Sequence, residues 1–142
     1  MSQKVTAFLD SDVVISSVLS KKGAASLLME ISAVQKIISD ISQQEITLVA
    51  RRMGLEDSIV TRIIRKNKIV KLRDSIKIIK SKYKNFVYDI NDAHIVAGAM
   101  ISRSRFLVTY NIKDYNTEKL KRHFDIIVLT PALLLQYLRS QK

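Results

Sequence analysis

At 142 residues the chain has the length of one ordinary domain, and with no cysteine it carries no disulfide framework, thiolate metal site or cysteine nucleophile. Its charge is lopsided: 24 Lys and Arg against 13 Asp and Glu leave +11 and a pI near 10.0, a field that attracts polyanions such as nucleic acid, and also acidic proteins or anionic membranes. No apolar run reaches the roughly 18 residues of a membrane span, and the opening MSQKVTAFLDSD has no long apolar stretch before its first acids, so a cytoplasmic chain without a membrane partner is expected.

KVTAFLD, residues 4–10, predicts a first strand that is covered on both faces and ends at Asp10. VVISSVLSKKG follows as a short apolar segment closed by a polar turn; if the strand runs on, Asp10 and Asp12 share a face. Gly23 then opens GAASLLMEISAV, where Leu27, Leu28, Ile31 and Val34 recur at helical spacing, and this is the expected first crossover helix. KIIS predicts the second strand. Ser42 is the expected cap of QQEITLVARRM, which Gly54 ends in a left-handed turn, and Glu56 or Asp57 begins SIVTRIIRKN as a further helix. Residues 69–83 fit both periods, with helix preferred. DAHIVAGAMIS predicts a helix with Ile95, Ala99 and Met100 on its apolar face and Gly98 allowing a close neighbour. RFLVT is the next strand, TEKLKRHF a short helix, DIIVLT the last strand, and PALLLQYLRS a last helix with Pro131 in its first turn. This alternation predicts an α/β fold over 1–142, a Rossmann-like three-layer sandwich whose central parallel sheet has about four to five strands joined by right-handed crossovers.

Ligands of such a sheet gather at the carboxyl ends of its strands. Asp10 and Asp12 follow the first strand, Glu45 lies in the helix after the second, Asp92 opens DAHIVAGAM, and Asn111 and Asp114 follow FLVT. Asn111 and Asp114 stand one helical turn apart, as do Asp89 and Asp92. Carboxylates brought together repel one another unless a cation lies between them, and Mg²⁺ or Mn²⁺ with oxygen ligands is the natural solution. Two such ions about 3.5–4 Å apart can activate water and stabilise an in-line phosphodiester displacement. Each acid also has a plain alternative. Asp10 can simply end a strand; Asp12 and Asp92 can cap helices; Asp114 and Asp89 can serve turns; Glu45 can be an exposed helical acid. His94 and His123 read as packing or surface residues. No glycine-rich phosphate loop, nucleophile elbow or histidine pair at metal spacing offers another chemistry. The joint placement of the acids at strand ends is what argues for a site.

Taken together, FLDSDVVIS, Glu45 and VYDINDAHIVAGAMISRSRFLVTYNIKDY make the chain resemble the PIN domain family, and within it the VapC-like toxin ribonucleases. The resemblance runs along essentially the whole chain, loosely in the middle third. It implies a small parallel α/β sandwich and a Mg²⁺- or Mn²⁺-dependent endoribonuclease, the toxin of a type II toxin–antitoxin pair. An RNA substrate, a small antitoxin protein and a homodimer are implied with it. Carried over by position, the catalytic acids are Asp10, Glu45, Asp92 and Asp114, and the metal is held by Asp10, Asp92 and Asp114 with Asn111, which adds no charge. Ser11, Asp12 and Thr109 support the site. Between Arg62 and Lys84 ten basic residues face one acid, Asp74. Of these, Arg62, Arg65, Lys66, Lys68, Lys71 and Arg73 are the expected contacts to an RNA backbone, against a plain reading as a solvated face.

Two other readings stand beside this one. The fold can serve as a catalytically inactive RNA- or protein-binding module. FLDSDVV also fits the start of a haloacid-dehalogenase-type phosphatase, with Asp10 as nucleophile, Asp12 as acid/base and Thr109 as phosphate-binding hydroxyl, yet no lysine followed by a paired acid appears at a later strand end. A receiver-like reading, with Thr109 and Lys113 as switch residues, lacks a convincing phospho-acceptor beyond Asp74.

Overall fold

The computed structural model describes residues 4–141. Five strands, β1 (Val5–Leu9), β2 (Val34–Ser39), β3 (Lys68–Val70), β4 (Phe106–Val108) and β5 (Ile127–Leu129), form one parallel sheet in the order β3-β2-β1-β4-β5. The chain steps outward from β1 through β2 to β3, then returns to lay β4 on the other side of β1. The strand order therefore reverses between β1 and β4, and this is where an open parallel sheet leaves a crevice at its carboxyl edge.

Helices α1 (Ser11–Leu19), α2 (Ala24–Met29), α3 (Asp40–Arg52), α4 (Asp57–Ile64), α5 (Ile76–Tyr83), α6 (Ala93–Ile101), α7 (Thr117–Phe124) and α8 (Pro131–Ser140) cover both faces. Alternation along each strand divides the core in two. Ala7, Leu9, Ile38, Phe106 and Val108 pack with Val13 and Val14 of α1, Leu28 of α2, Ile63 of α4 and Leu134 of α8. Phe8, Ile37 and Leu107 face the opposite way, toward Ile79 of α5, Ile95 and Ala99 of α6 and Leu120 of α7. With both faces buried, Ala7–Leu9 of β1 and Phe106–Val108 of β4 read as unbroken apolar runs.

Every residue of α6 from Ala93 to Ala99 is buried, so this helix is a core element rather than an amphipathic one. Gly98 lies directly over Phe8: a Cβ added there would stand 2.2 Å from Phe8 Cζ. The glycine lets α6 seat itself against β1, two residues before Asp10.

Four local expectations are corrected. The first strand ends before Asp10 as expected, but the short apolar segment after it is a helix and the strand does not run on through Asp12. Asp10 donates its N–H to the Val108 carbonyl, the last ladder bond that β4 offers, and the chain then turns into α1. The first crossover is thus α1, and Asp10 and Asp12 do not share a strand face. The helix expected from Gly23 to Val34 stops at Met29, because Val34 pairs with Val5 in the sheet, and Leu27 is left 50% exposed. Ser39, not Ser42, caps α3: its hydroxyl accepts the Ser42 N–H at 3.0 Å. The ambiguous stretch 69–83 divides into the edge strand β3 and then α5, capped by Ser75. Among the described residues no helix is long and apolar enough to cross a membrane.

Candidate active site

Asp10 and Thr109 end the two central strands on either side of the crevice. The Thr109 hydroxyl donates to Asp10 Oδ2 at 3.0 Å and accepts the Asn111 N–H at 3.0 Å, so one small side chain fixes both the carboxylate and the loop after β4. Tyr115 donates its hydroxyl to the same Asp10 oxygen at 2.7 Å. Burial, and the charge of Asp10 beside it, push the Tyr115 phenol well above its ordinary range, so the group stays protonated and keeps its proton for Asp10. A buried tyrosine hydroxyl needs a partner, and here the partner is the first acid of the site.

Asp12 stands in the first turn of α1 and reaches across to the same loop. Its Oδ2 accepts from the Tyr110 N–H at 3.3 Å and from Asn111 Nδ2 at 2.9 Å. Its other oxygen is buried with no partner among the described residues. Burial first, and Asp10 second, push its carboxyl up to about 7. Asp12 thus braces the 109–111 loop.

Asp92 precedes α6 at the end of a 3-10 turn, Ile90–Asp92, and makes no side-chain capping bond. Asp89 caps that turn instead, its Oδ1 accepting the Asn91 N–H at 3.0 Å, as its turn reading predicts. The Asp92 carboxyl is pushed up to about 7, by burial and then by the charges of Asp10, Asp89 and Asp114. Capping therefore does not explain Asp92, whereas mutual repulsion with Asp10 and Asp114, acids from two other segments, and with Asp89 of its own turn marks it as part of a cluster. Asp114 ends the 3-10 turn Ile112–Asp114, and its N–H is held by the Asn111 carbonyl at 2.9 Å.

Glu45, one turn and a half into α3, joins the group through two neighbours that grip a single oxygen. Ser11 donates to Oε1 at 3.1 Å, and His94 Nε2 lies 3.1 Å from the same atom. His94 is neither a surface residue nor simple packing: it is buried on α6, two residues after Asp92, and its Nδ1 has no partner among the described residues. It acts on the site by orienting Glu45. Sequence reasoning missed His94 and Tyr115. The only available signal for Tyr115 was an aromatic directly after Asp114, at a place where a buried hydroxyl would require an acceptor.

Among the described residues no group of three or more His, Asp or Glu side chains already stands in metal-holding geometry. The donor chemistry nonetheless fits a hard cation, since carboxylates that raise one another's proton affinity are those a divalent ion would stabilise in charged form.

The basic residues do not form one patch. Lys71 and Arg73 follow β3 at the acid edge, where the Leu72 N–H between them is held by Asp40 Oδ1 at 3.0 Å. Arg65, Lys66 and Lys68 instead line a polar hollow with Lys4 and Lys36, beside the residues that precede β1 and β2. Arg62 and Lys66 border a groove over α2, where Lys66 pairs with Glu30.

No family model matches the chain, and no curated protein matches it. Solved structures do. A chain of a toxin–antitoxin complex from Klebsiella pneumoniae is 22% identical with a TM-score of 0.62, covering 88% of this chain and 97% of that one. A chain of VapBC2 from Rickettsia felis, bound to a DNA fragment from its promoter, is 16% identical with a TM-score of 0.60, covering 87% and 97%. A chain of VapBC-1 from nontypeable Haemophilus influenzae is 17% identical with a TM-score of 0.59, covering 90% and 99%. What this chain shares with those toxin–antitoxin structures, over nearly its whole length, is its fold, an α/β sandwich on a five-stranded parallel sheet.

Proposed function

We propose that the chain is a PIN-domain endoribonuclease, dependent on Mg²⁺ or Mn²⁺, that acts as the toxin of a toxin–antitoxin pair. The observation that carries this reading is the convergence of Asp10, Asp92 and Asp114, from three distant segments, on the crevice between β1 and β4, with Asp92 driven up to about 7 by burial and by its acidic neighbours. Asp10, Asp92 and Asp114 would hold the ion, with Asn111 adding a carbonyl and Glu45 completing the acidic group. Lewis-acid activation of water and neutralisation of charge on the phosphate are what such an ion supplies.

The chain's own groups do the positioning. Thr109 and Tyr115 fix one oxygen of Asp10, leaving the other for a ligand. Ser11 and His94 fix Glu45. Asp12 holds the Asn111 loop in place. Lys71 and Arg73, at the same edge, would meet phosphates of the RNA. An antitoxin that covers this edge, a homodimer and a cytoplasmic setting belong to the same reading, supported by the shared fold.

Purified protein incubated with RNA should cleave in Mn²⁺ or Mg²⁺, stop in EDTA, and fail as Asp10→Asn or Asp92→Asn. Cleavage that survives both would overturn the proposal. One observation favours a binding module without catalysis: Asn111 brings no charge, and its amide is engaged by Asp12. That alternative predicts RNA binding with steep salt dependence and no cleavage with any divalent ion.

A further inference from the structure

Aromatic side chains in this protein are almost all put away. Phe8, Phe106, Tyr83 and Tyr115 are buried in the core, and Phe86, Phe124 and Tyr137 are half-buried in aromatic pairs. Among the described residues only two aromatic rings are exposed, Tyr88 at 71% and Tyr110 at 44%. Both stand at the acid edge. Tyr110 is the residue between Thr109 and Asn111, and its N–H is bound to Asp12. Tyr88 directly precedes Asp89, and its N–H donates to the Asp114 carbonyl at 2.8 Å.

Their backbones are held as firmly as those of the acids. Val87, just before Tyr88, pairs with Tyr115 in an antiparallel bridge. Asp12 fixes Tyr110 from α1. Two solvated rings whose backbones are tied to Asp12 and Asp114, in a chain of net charge +11, are an arrangement that hydrophobic burial does not explain. Ring faces presented to water next to a phosphate-seeking site suit one chemistry well, because unpaired nucleobases stack on tyrosine whatever their sequence. A duplex hides those faces. Apolar neighbours extend the surface on the Tyr88 side, where Ile90 and Ile76 are exposed and border a small cleft running to Glu45 and His94.

We propose that Tyr88 and Tyr110 are stacking platforms for nucleobases of the bound RNA, next to the acid cluster. This rests on the nuclease reading above and adds two substrate-contacting residues to it. Lys113, exposed between Asn111 and Asp114, is placed to meet the phosphate backbone.

The test uses the full chain carrying Asp92→Asn, which prevents cleavage, and a short RNA with 2-aminopurine in place of one adenine. Single-stranded RNA should bind with quenched fluorescence, and its duplex should bind more weakly and without quenching. Tyr88→Ala and Tyr110→Ala should each weaken single-strand binding about fivefold or more and lose part of the quenching, while Tyr→Phe at either position keeps both. Both sites are exposed, so the variants should melt like their parent. Single-strand and duplex RNA bound equally well, with alanine variants unchanged, would overturn this inference and leave the nuclease reading standing. Absence of binding to either RNA would overturn both.

Discussion

Tyr115 and Asp10, 105 residues apart in the chain, are joined by a hydroxyl-to-carboxylate bond of 2.7 Å. The bond ties the loop after β4 to the end of β1 and shares its acceptor oxygen with Thr109. Removing the hydroxyl keeps the ring in the core but leaves Asp10 with one donor fewer in an acidic neighbourhood. Tyr115→Phe should therefore cost about 1–2 kcal/mol in chemical denaturation and lower the cleavage rate, because a hydrogen bond to a charged group is among the stronger ones. If the contact is incidental, both quantities stay at their wild-type values.

The raised carboxyls of Asp12 and Asp92 predict how stability depends on pH. Each is pushed from 3.8 to about 7 in the folded chain, so between those values the folded state binds more protons than the unfolded one. Their contribution is fully present below pH 4 and is lost as pH rises through 7. Asp92→Asn removes one titration without removing the side-chain volume. In EDTA the variant should melt above wild type at pH 7.5, with the gap closing toward pH 4.5. Mn²⁺ should raise the wild-type Tm at pH 7.5 and leave Asp92→Asn nearly unmoved, since an ion that binds only the folded state stabilises it by mass action. A gap between the two proteins that does not vary with pH would count against the acidic cluster.

Gly98 links core packing to the site. A methyl group there would sit 2.2 Å from Phe8 Cζ, in a place where neither a strand nor a buried helix can retreat. Gly98→Ala should cost about 2–3 kcal/mol, near the upper end of what overpacking a core costs, and should slow cleavage through β1 and Asp10. Phe8→Leu in the same chain should restore part of the stability. Losses that simply add in the double variant would mean that the two residues do not compete for space.

What could be read from the sequence was whatever local pattern encodes. The buried runs before Asp10 and Thr109 declare themselves as strands, Pro131 marks the start of α8, and Gly54 takes the left-handed conformation expected of it, at φ +76. Ser11–Leu19 was obscured because its β-branched VVISSV favours a strand, and only the end of the ladder with β4 decides for a helix. β3 was obscured because it is three residues long and an edge, with Lys68 and Ile69 exposed, so no alternation can show. His94 and Tyr115 escaped for a different reason. Their partners, Glu45 and Asp10, are brought to them by sheet topology, and no spacing within the chain announces such a contact.

The division of the basic residues yields the last prediction. Counterion release makes every lysine or arginine that meets a phosphate count in the salt dependence of binding, with a slope of about −0.7 per contact for single strands. Lys71 and Arg73 lie on the acid edge beside β2 and α3, whereas Arg65 and Lys68 lie with Lys4 and Lys36 around the hollow near the starts of β1 and β2. A strand bound over Asp10 and Asp92 reaches the first pair before the second. Lys71→Glu with Arg73→Glu should therefore weaken RNA binding and flatten the plot of log K against log salt by about one to two, raising KM with little change in kcat. Arg65→Glu with Lys68→Glu should leave cleavage of a short RNA nearly unchanged. Equal losses from both pairs would mean that the RNA wraps around the sheet edge, and a loss from the second pair alone would move the path of the RNA away from the acids altogether.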